Sequence, residues 1–462
     1  MLLRGQSPFP FIHRITASLP RQGVVSTSLR HHCWIILLIL FSMNSFTQEV
    51  ITLPGSIEIG LKNNFSIILQ KNQARIAKND NTIGNAGFLP SLALSATQNN
   101  NVSTTHQEQF SGTIKDVTNA KNNSLNIGIQ MNWTLFDGMN MFVTKRMLGV
   151  LEDLGENGTR IVIEGTVADI TMNYYGIIQL VKLVRVAQDA VDLSMQRKHI
   201  AEAKLSLGAG SQLMLLQSTV DLNADSTRLI QQMVQLANTK ADFNRLLALE
   251  VTSDFSILDT IKITRVLRYD SLLLLALKQN SQLIAARLNQ NISRLGVSQA
   301  RSERYPTLGF TAGYTYGTLN SETGFLKYNQ SYGPSFGFNL SYTLFNGFNI
   351  NRAIKNAKVI MNSGDIGVED AEQELKVNLY KLHNQYLSSL EVVKMQLTNV
   401  EVASENVYVA FEKYKLGSLN DVELREIQQK LIDAEYQLIY SQFEAKKSEV
   451  EISRLCGELL KP

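Results

Sequence analysis

Long apolar runs are nearly absent from the 462-residue chain, and the single one lies near the N-terminus. It covers residues 33–41 (CWIILLILF), whereas a helix needs about 20 residues to cross the core of a bilayer. Arg30 precedes this run, and a polar segment with small residues at Ser45 and Thr47 follows it, which is typical of a cleaved signal peptide. We therefore predict a leader over residues 1–47 and an exported mature chain.

Cysteine and charge are also scarce. Cys33 precedes the apolar run instead of following it, which argues against a lipid-modified N-terminus. Cys456 is then alone in the mature chain, so no internal disulfide can form. Charged residues make up only 18%, and the formal net charge falls from +3 to about −1 once the four leader arginines are removed. This composition excludes a disordered chain and argues against nucleic acid as a partner.

The sequence contains no motif that indicates catalysis. The mature histidines His106, His199 and His383 have no second histidine or cysteine at metal-ligand spacing. Gly208-x-Gly210 lacks the third glycine and the preceding strand of a nucleotide-binding loop. No nucleophile elbow and no zinc-protease motif is present. We predict a protein that is not an enzyme and that binds no metal and no cofactor.

An internal duplication organises the chain into two halves of about 200 residues. Residues 61–64 (LKNN) recur as 277–280 (LKQN) at an offset of 216. Three further pairs share an offset of 209: 134–140 (TLFDGMN) with 343–349 (TLFNGFN), 204–208 with 413–417, and Arg245-Leu246 with Arg454-Leu455. The first half therefore carries seven extra residues between Pro90 and Thr134, and each half is expected to form an equivalent structure.

Each half contains a pair of strands with one apolar face. Apolar and small polar residues alternate without exception in the second strand of each pair, which is the period of a β-strand. The apolar positions are Leu125, Ile127, Ile129, Met131, Trp133 and Leu135 in one half and Phe336, Phe338, Leu340, Tyr342 and Leu344 in the other. Trp133, Phe136, Tyr342 and Phe345 lie near one rim, as in the aromatic girdle of a membrane barrel. The edge of a soluble β-sandwich is the alternative interpretation.

Four strands are too few to form a membrane barrel. A sheet exposed to lipid must close on itself, and closed membrane barrels contain at least about eight strands. A self-contained porin is therefore excluded, and we predict a barrel shared among subunits. Residues 99–124 and 317–333, which are rich in Asn and Thr, are predicted to be the loops of the two hairpins.

The mature chain has prolines only at positions 54, 90, 306, 334 and 462, so long helices are permitted between them. Apolar residues recur at spacings of three and four, which predicts coiled-coil-like helices over residues 140–249 and 349–460. We predict a first repeat over residues 48–249 with a hairpin over 91–136, an equatorial connection over 250–266, and a second repeat over 267–462 with a hairpin over 307–345. The fold class is mainly α with a membrane β-barrel portion.

This combination resembles the TolC-like outer-membrane efflux protein (outer membrane factor) family over nearly the whole mature chain. The specific features are Pro90 and Pro306 before each first strand, the Leu-Phe-x-Gly segments at residues 135–138 and 344–347, and the Tyr-x-x-Gly turn at 414–417. The resemblance implies a homotrimer whose 12-stranded barrel continues into an α-helical tunnel. It also implies a location in the outer membrane of a Gram-negative bacterium, with contacts to lipid there, and a helical body in the periplasm. Its implied partners are a periplasmic adaptor (membrane fusion protein) and an inner-membrane transporter of an efflux or type I secretion system.

The resemblance also places candidate sites at the turns between the long helices. Adaptor docking is implied for a periplasmic tip formed by Leu207, Gly208, Ser211, Leu416, Gly417 and Asn420. Glu423 and Glu426 stand where the family pattern has two acidic residues that line a closed entrance. The alternative for the turn residues is helix capping, and the alternative for the glutamates is a solvated helix face near a helix N-terminus. A periplasmic coiled-coil adaptor is the rival function, although an adaptor would carry one helical hairpin instead of two.

Overall fold

The computed structural model describes residues 49–257, 260–263, 268–323 and 325–460. The predicted leader lies outside these ranges, and so does part of the predicted connection over 250–266. Residues Glu49–Val50 (β1) pair with Phe255–Ser256 (β4) in a two-stranded sheet, and Ile51 N donates to Ser256 O at 3.1 Å. Part of the connection is thereby tied to the start of the first half.

Each half begins with two helices separated by one asparagine. Leu53–Asn63 (α1) and Phe65–Asp80 (α2) flank Asn64, and Tyr269–Gln279 (α5) and Ser281–Ser302 (α6) flank Asn280. Both asparagines cap the second helix by accepting backbone N–H bonds. Their amides donate to the carbonyls of Leu246 and Leu455, at 2.9 and 3.0 Å. In each half, the asparagine of the repeated Leu-Lys-x-Asn segment therefore contacts the leucine of the repeated Arg-Leu pair.

A four-stranded antiparallel sheet follows, in the order β2-β3-β5-β6. Its strands are Ser91–Glu108 (β2), Ile114–Asp137 (β3), Thr307–Ser321 (β5) and Tyr328–Ser341 (β6). The register places Leu94 opposite Ile129, and Ile129 opposite Tyr314. The strands alternate small polar residues on one face with apolar residues on the other, as predicted.

The strands differ from the predicted ones at both ends. Residues 99–108 and 114–124 continue the ladder and are not loop, because polar side chains leave the backbone hydrogen bonds of a hairpin intact. For the same reason β5 and β6 extend into the predicted loop over 317–333. The strand predicted to reach residue 345 ends at Ser341, since the neighbouring strand β5 begins at Thr307, opposite Ser341.

Two very long helices dominate the rest of the described chain. Asn140–Ser206 (α3) and Asn349–Lys415 (α7) each contain 67 residues, which corresponds to about 100 Å at 1.5 Å per residue. Each is followed by a shorter partner, Gln212–Leu247 (α4) or Asp421–Leu455 (α8). The α3 helix continues through Gly155, where a Cβ would lie 3.2 Å from Ala74 Cα of α2. Glycine there permits close packing of the two helices.

Helix packing between the halves involves α3, which lies against both α6 and α8. We call this packing the intra-chain seam. By the duplication, the equivalent pairings are α7 with α2 and α7 with α4, and no comparable packing of these pairs occurs among the described residues. The surface of α3 therefore has a partner from the other half, whereas the equivalent surface of α7 has none among the described residues. No helix in the described ranges has both the length and the apolar composition to span a bilayer.

Candidate functional site

The four-stranded sheet exposes its apolar face and leaves both edge strands, β2 and β6, unpaired within the described chain. The side chains of Leu92, Leu94, Phe336 and Phe338 are between 70% and 80% exposed. Monomeric soluble proteins rarely expose so large a contiguous apolar surface, and an open strand edge invites pairing with another chain. The sheet therefore requires both an apolar environment and further strands.

The opposite face of the sheet is polar and free of formal charge across its four-stranded part. Serine, threonine, asparagine, glutamine and glycine predominate there, as in Asn126, Gly128 and Gln130 of β3. The glycines allow close cross-strand contacts, because a Cβ at Gly128 would lie 2.9 Å from Thr315 Cγ2. The sheet can therefore line a water-filled passage with hydroxyl and amide groups.

The aromatic residues predicted for a membrane girdle lie near the helical end of the sheet. Trp133 is on β3 and donates its indole N–H to Phe88 O at 2.9 Å, and Phe136 lies three residues further along the strand. Tyr342 and Phe345 follow the end of β6 and are 56% and 73% exposed. Pro90 and Pro306 stand immediately before the first residues of β2 and β5.

The Leu-Phe-x-Gly segments form the junctions between sheet and helix. Gly138 and Met139 both adopt left-handed backbone conformations, with φ of 70° and 71°, and so do Gly347 and Phe348, with φ of 68° and 62°. The variable residue of each segment caps the following helix: Asp137 Oδ1 accepts from Met141 N at 3.1 Å, and Asn346 Oδ1 accepts from Ile350 N at 3.4 Å. The Leu-Phe-x-Gly pattern was not interpreted as a helix cap in the sequence. A short polar residue before the glycine, Asp137 or Asn346, is the feature that could have indicated it.

The two junctions share a backbone but differ in their surroundings. A Cβ at Gly138 would lie 2.3 Å from Ser302 O and 2.9 Å from Tyr305 Cβ. A Cβ at Gly347 would meet only the side chain of Asn349, at 3.8 Å. Ser302 and Tyr305 therefore cover the turn at Gly138, whereas no distant residue of the described chain covers the turn at Gly347.

The predicted tip residues form two turns between long helices. Gly208 and Gly417 adopt φ of 71° and 77°, and the leucine before each glycine, Leu207 or Leu416, is 82% exposed. Ser211 Oγ accepts from Met214 N at 3.2 Å. Asn420 forms a capping box with Glu423, in which each side chain accepts the backbone N–H of the other. Capping accounts for the glycines and polar residues, while both leucines remain on the surface.

The two predicted gate residues lie on the exposed side of α8. Glu423 belongs to the capping box, and Glu426 forms an ion pair with Lys430 at 2.8 Å. The hydrogen bond and positive charge of Lys430 hold the pKa of Glu426 below its usual value. Both carboxylates are accessible to solvent.

A buried ionic cluster joins the two halves above the tips, and the sequence pattern gives no indication of it. Arg197 of α3 has no exposed surface and binds Asp421 of α8 through Nε at 3.2 Å and Nη2 at 2.7 Å. Arg425 of α8 binds Asp225 of α4 at 2.7 and 3.0 Å. Asp221 of α4 lies between the two guanidinium groups, 3.1 Å from Arg197 Nη2 and 3.8 Å from Arg425 Nε. These five residues are named the ionic cluster below.

Charge and burial act in opposite directions within the ionic cluster. Burial disfavours the charged form of Asp225, but hydrogen bonds from Arg425 and Ser194 outweigh it and hold the pKa of Asp225 below its usual value. Burial likewise acts to lower the pKa of Arg425, whereas the hydrogen bond and charge of Asp225 raise it. Both groups are therefore charged at neutral pH. Nearer the tips, Lys204 Nζ donates to Tyr414 O at 3.1 Å, which adds a second link between the halves.

A polar-lined sheet that continues into long paired helices is a fold that this chain shares with solved outer-membrane channels. The chain matches the model of the outer membrane efflux protein family over residues 272–458. It is 23% identical over 185 residues to outer membrane protein TolC of Vibrio cholerae serotype O1, which covers 40% of this chain. It is 27% identical over 171 residues to the alkaline protease secretion protein AprF of Pseudomonas aeruginosa, which covers 37%.

The matched regions span 42% and 35% of the lengths of these two relatives. Structural similarity extends further, because the Campylobacter jejuni CmeC outer membrane channel superposes with a TM-score of 0.69 at 14% identity, covering 96% of this chain and 94% of that one. The predicted resemblance to the TolC-like outer-membrane efflux protein family is thereby confirmed. The predicted location, the outer membrane of a Gram-negative bacterium with a periplasmic helical body, is confirmed with it.

Proposed function

We propose that the chain is one subunit of an outer-membrane channel that acts as a passive exit duct and not as an enzyme. The observation that carries this proposal is the sheet, whose two open edges and exposed apolar face can be satisfied only by further strands and by lipid. Three copies supply twelve strands, which exceeds the minimum of about eight for a closed membrane barrel. The uncharged polar face then lines the passage.

The arrangement of the halves supports a closed ring of identical subunits. The contact of α3 with α6 and α8 joins unlike surfaces, and its counterpart on α7 has no occupant among the described residues. Such a heterologous contact, repeated between copies, closes into a ring when the rotation allows it. In the ring, α7 of one copy packs on α2 and α4 of the next, and we call this packing the inter-copy seam.

The exposed surfaces of the helices fit this inter-copy seam. Apolar residues are open on α4, for example Leu213, Leu216 and Val220, and on α7, for example Val359 and Ile360. The open junction at Gly347 then receives the next copy in the way that Gly138 receives Ser302 and Tyr305. A second copy therefore buries the surfaces that one chain leaves open.

The partners proposed for the channel follow from the family resemblance. A periplasmic adaptor would dock on the tip residues Leu207 and Leu416, which are both exposed, and an inner-membrane transporter would drive the cargo. Glu423 and Glu426 would line the periplasmic entrance as stacked acidic rings in the trimer. The adaptor interpretation of the chain itself is not favoured, because a soluble adaptor has no use for an exposed apolar four-stranded sheet.

Fractionation and bilayer recordings of a matched pair of variants test this proposal. Phe338→Asp places a charge on the apolar face of β6, whereas Asn339→Asp places the same charge on its polar face. We expect Phe338→Asp to abolish trimers in the outer-membrane fraction, since a charge that faces lipid destabilises every copy in the barrel. Asn339→Asp should assemble and shift single-channel selectivity toward cations. A water-soluble monomer, or equal effects of the two variants, would contradict the proposal.

A further inference from the structure

The two strand-to-helix junctions differ in charge as well as in cover. In the first half, the rings of Phe88 and Phe142 stack edge to face, with their centroids 5.0 Å apart. The duplication places Arg304 and Asn351 at the equivalent positions of the second half, at offsets of 216 and 209. There Arg304 Nη2 donates to Asn351 Oδ1 at 2.8 Å. The second half therefore has a cation and an amide where the first half has an aromatic pair.

The positive charge of Arg304 is not neutralised within the described chain. Its side chain is exposed, and its hydrogen bond goes to a neutral amide. The neighbouring carboxylate of Glu303 lines a different cavity, together with Thr307 and Ser341 on the polar face of the sheet. A guanidinium has five N–H donors, so most of those of Arg304 are available to a ligand. An anion would form strong, charge-assisted hydrogen bonds there.

Arg304 opens onto a cavity of 470 Å³ between the end of α6, the end of β6 and the start of α7. The walls of the cavity are largely aromatic and include Tyr305, Tyr342, Phe345 and Phe348. Tyr342 continues the alternating apolar positions of β6, so the cavity lies on the side that faces lipid in the proposed channel. In the first half, Trp133 takes the place of Tyr342 and already donates its N–H to Phe88 O.

Further positive charge surrounds this cavity. Arg301, Arg352 and Lys355 lie within four residues of Arg304 or Asn351 along the chain, and all three are exposed. None of the three forms an ion pair with another described residue. An anion in the cavity therefore meets unpaired positive charge from the ends of two helices.

The ligand that fits these surroundings has an anionic head and an apolar body. Phosphate oxygens match the fork of a guanidinium group, and tyrosine and arginine are favoured where a membrane protein meets the headgroups. The helical body is periplasmic, so the helical end of the sheet faces the periplasmic leaflet of the outer membrane. A free phosphate ion would use the arginine but would leave the aromatic walls uncovered. The cavity therefore favours a phospholipid over a free phosphate.

We propose that the cavity beside Arg304 binds the headgroup of an anionic phospholipid from the periplasmic leaflet, with one site in each subunit. Arg304 binds the phosphate, and the acyl chains lie along the apolar face of β6. This inference rests on the proposed function, because it requires the apolar face of the sheet to lie in the bilayer.

Native mass spectrometry of the purified protein in detergent, with lipids added back, tests this proposal. One variant, Arg304→Phe with Asn351→Phe, copies the aromatic pair of the first half. A milder variant, Arg304→Gln, removes only the charge. The control Arg287→Gln removes a partly exposed charge that pairs with Glu372, about 25 Å further from the sheet at 1.5 Å per residue. The probes are phosphatidylglycerol, phosphatidylcholine and inorganic phosphate.

The wild-type protein should bind phosphatidylglycerol at least about tenfold more tightly than phosphatidylcholine, which has no net charge, up to one molecule per subunit. Arg304→Gln should weaken the binding of phosphatidylglycerol about tenfold, as expected for the loss of one charge-assisted hydrogen bond. The double phenylalanine variant should bind the two lipids equally, and Arg287→Gln should bind them as the wild type does. Inorganic phosphate at the concentration of the lipid should not displace it.

Three results would overturn the inference. The first is equal binding of the two lipids by the wild-type protein, and the second is an equal loss in Arg304→Gln and Arg287→Gln. The third is displacement of the lipid by inorganic phosphate, which would identify a site for the free ion. All three leave the proposed channel intact if the wild-type protein conducts in planar bilayers. A wild-type protein that needs no detergent and forms no pore would refute the proposed function, and this inference with it.

Discussion

At the first strand-to-helix junction, Gly138 turns beneath Ser302 and Tyr305, whereas at the second junction Gly347 makes the same turn with open space above it. The two backbones agree because the local sequence, an Asx residue followed by glycine, specifies both turns. The surroundings differ because one covering element comes from the same chain and the other would come from a second copy. The local sequence therefore specifies the backbone of each junction, whereas the residues that cover the junction depend on which chain packs there.

The largest expected effect concerns the intra-chain seam, which forms within a single chain. Asp225→Ala leaves the partly buried guanidinium of Arg425 without its main partner, which should cost about 3 kcal/mol of unfolding free energy or slightly more. The exposed Asp433 of α8, which bonds only Gln429, provides a control, and Asp433→Ala should change stability by less than about 0.5 kcal/mol. Denaturant titration of the detergent-solubilised protein measures both. Equal effects would show that the cluster does not hold the seam.

The same seam should be weakened by acid. The pKa of Asp225 is depressed in the folded protein, so its contribution to stability is present above the usual Asp pKa of about 3.9 and is lost as the pH falls through the folded value. We expect the stability difference between wild type and Asp225→Asn to be constant from pH 8 to about pH 5 and to shrink below about pH 4. A difference that grows on acidification has the wrong sign for this account.

A smaller effect compares the two junctions directly. Gly138→Ala adds both left-handed strain and a clash with Ser302 O, so it should cost about 2 to 3 kcal/mol. Gly347→Ala adds only the strain, about 1 to 2 kcal/mol, in an isolated subunit. In the proposed trimer, Gly347→Ala should become as damaging as Gly138→Ala. Thermal unfolding of monomeric and assembled protein would reveal this change, and equal costs in both states would argue against a covering copy.

The smallest expected effect on stability lies at the tip. Glu423→Gln and Glu426→Gln change exposed side chains, so the unfolding transition should stay where it is in the wild type. If the two carboxylates form rings at a closed entrance, block of the channel by divalent cations should weaken in each variant. Single-channel recordings with and without Mg²⁺ measure this block. Unchanged block in both variants would remove these glutamates from the entrance.

Features set by short-range sequence could be predicted, and features set by distant contacts could not. The alternating residues of β3 and β6, the prolines before β2 and β5, and the glycine turns at 208 and 417 each depend on neighbours in the chain. The ionic cluster joins residues 200 and 224 positions apart, and no periodicity signals such a pair. The lengths of the strands were not predicted correctly either, because Asn and Thr occur both in loops and in paired strands.

The heterologous character of the intra-chain seam has a consequence for how the protein is made. In the proposed ring, a lone subunit presents two complementary but unmatched flanks, and a pair of subunits still presents one of each. Only the last copy buries both flanks at once, so partial rings gain little stability and still expose surfaces that bind other chains. We therefore expect biogenesis to be all-or-none, with incomplete rings short-lived and newly exported chains in need of protection until the circle is complete.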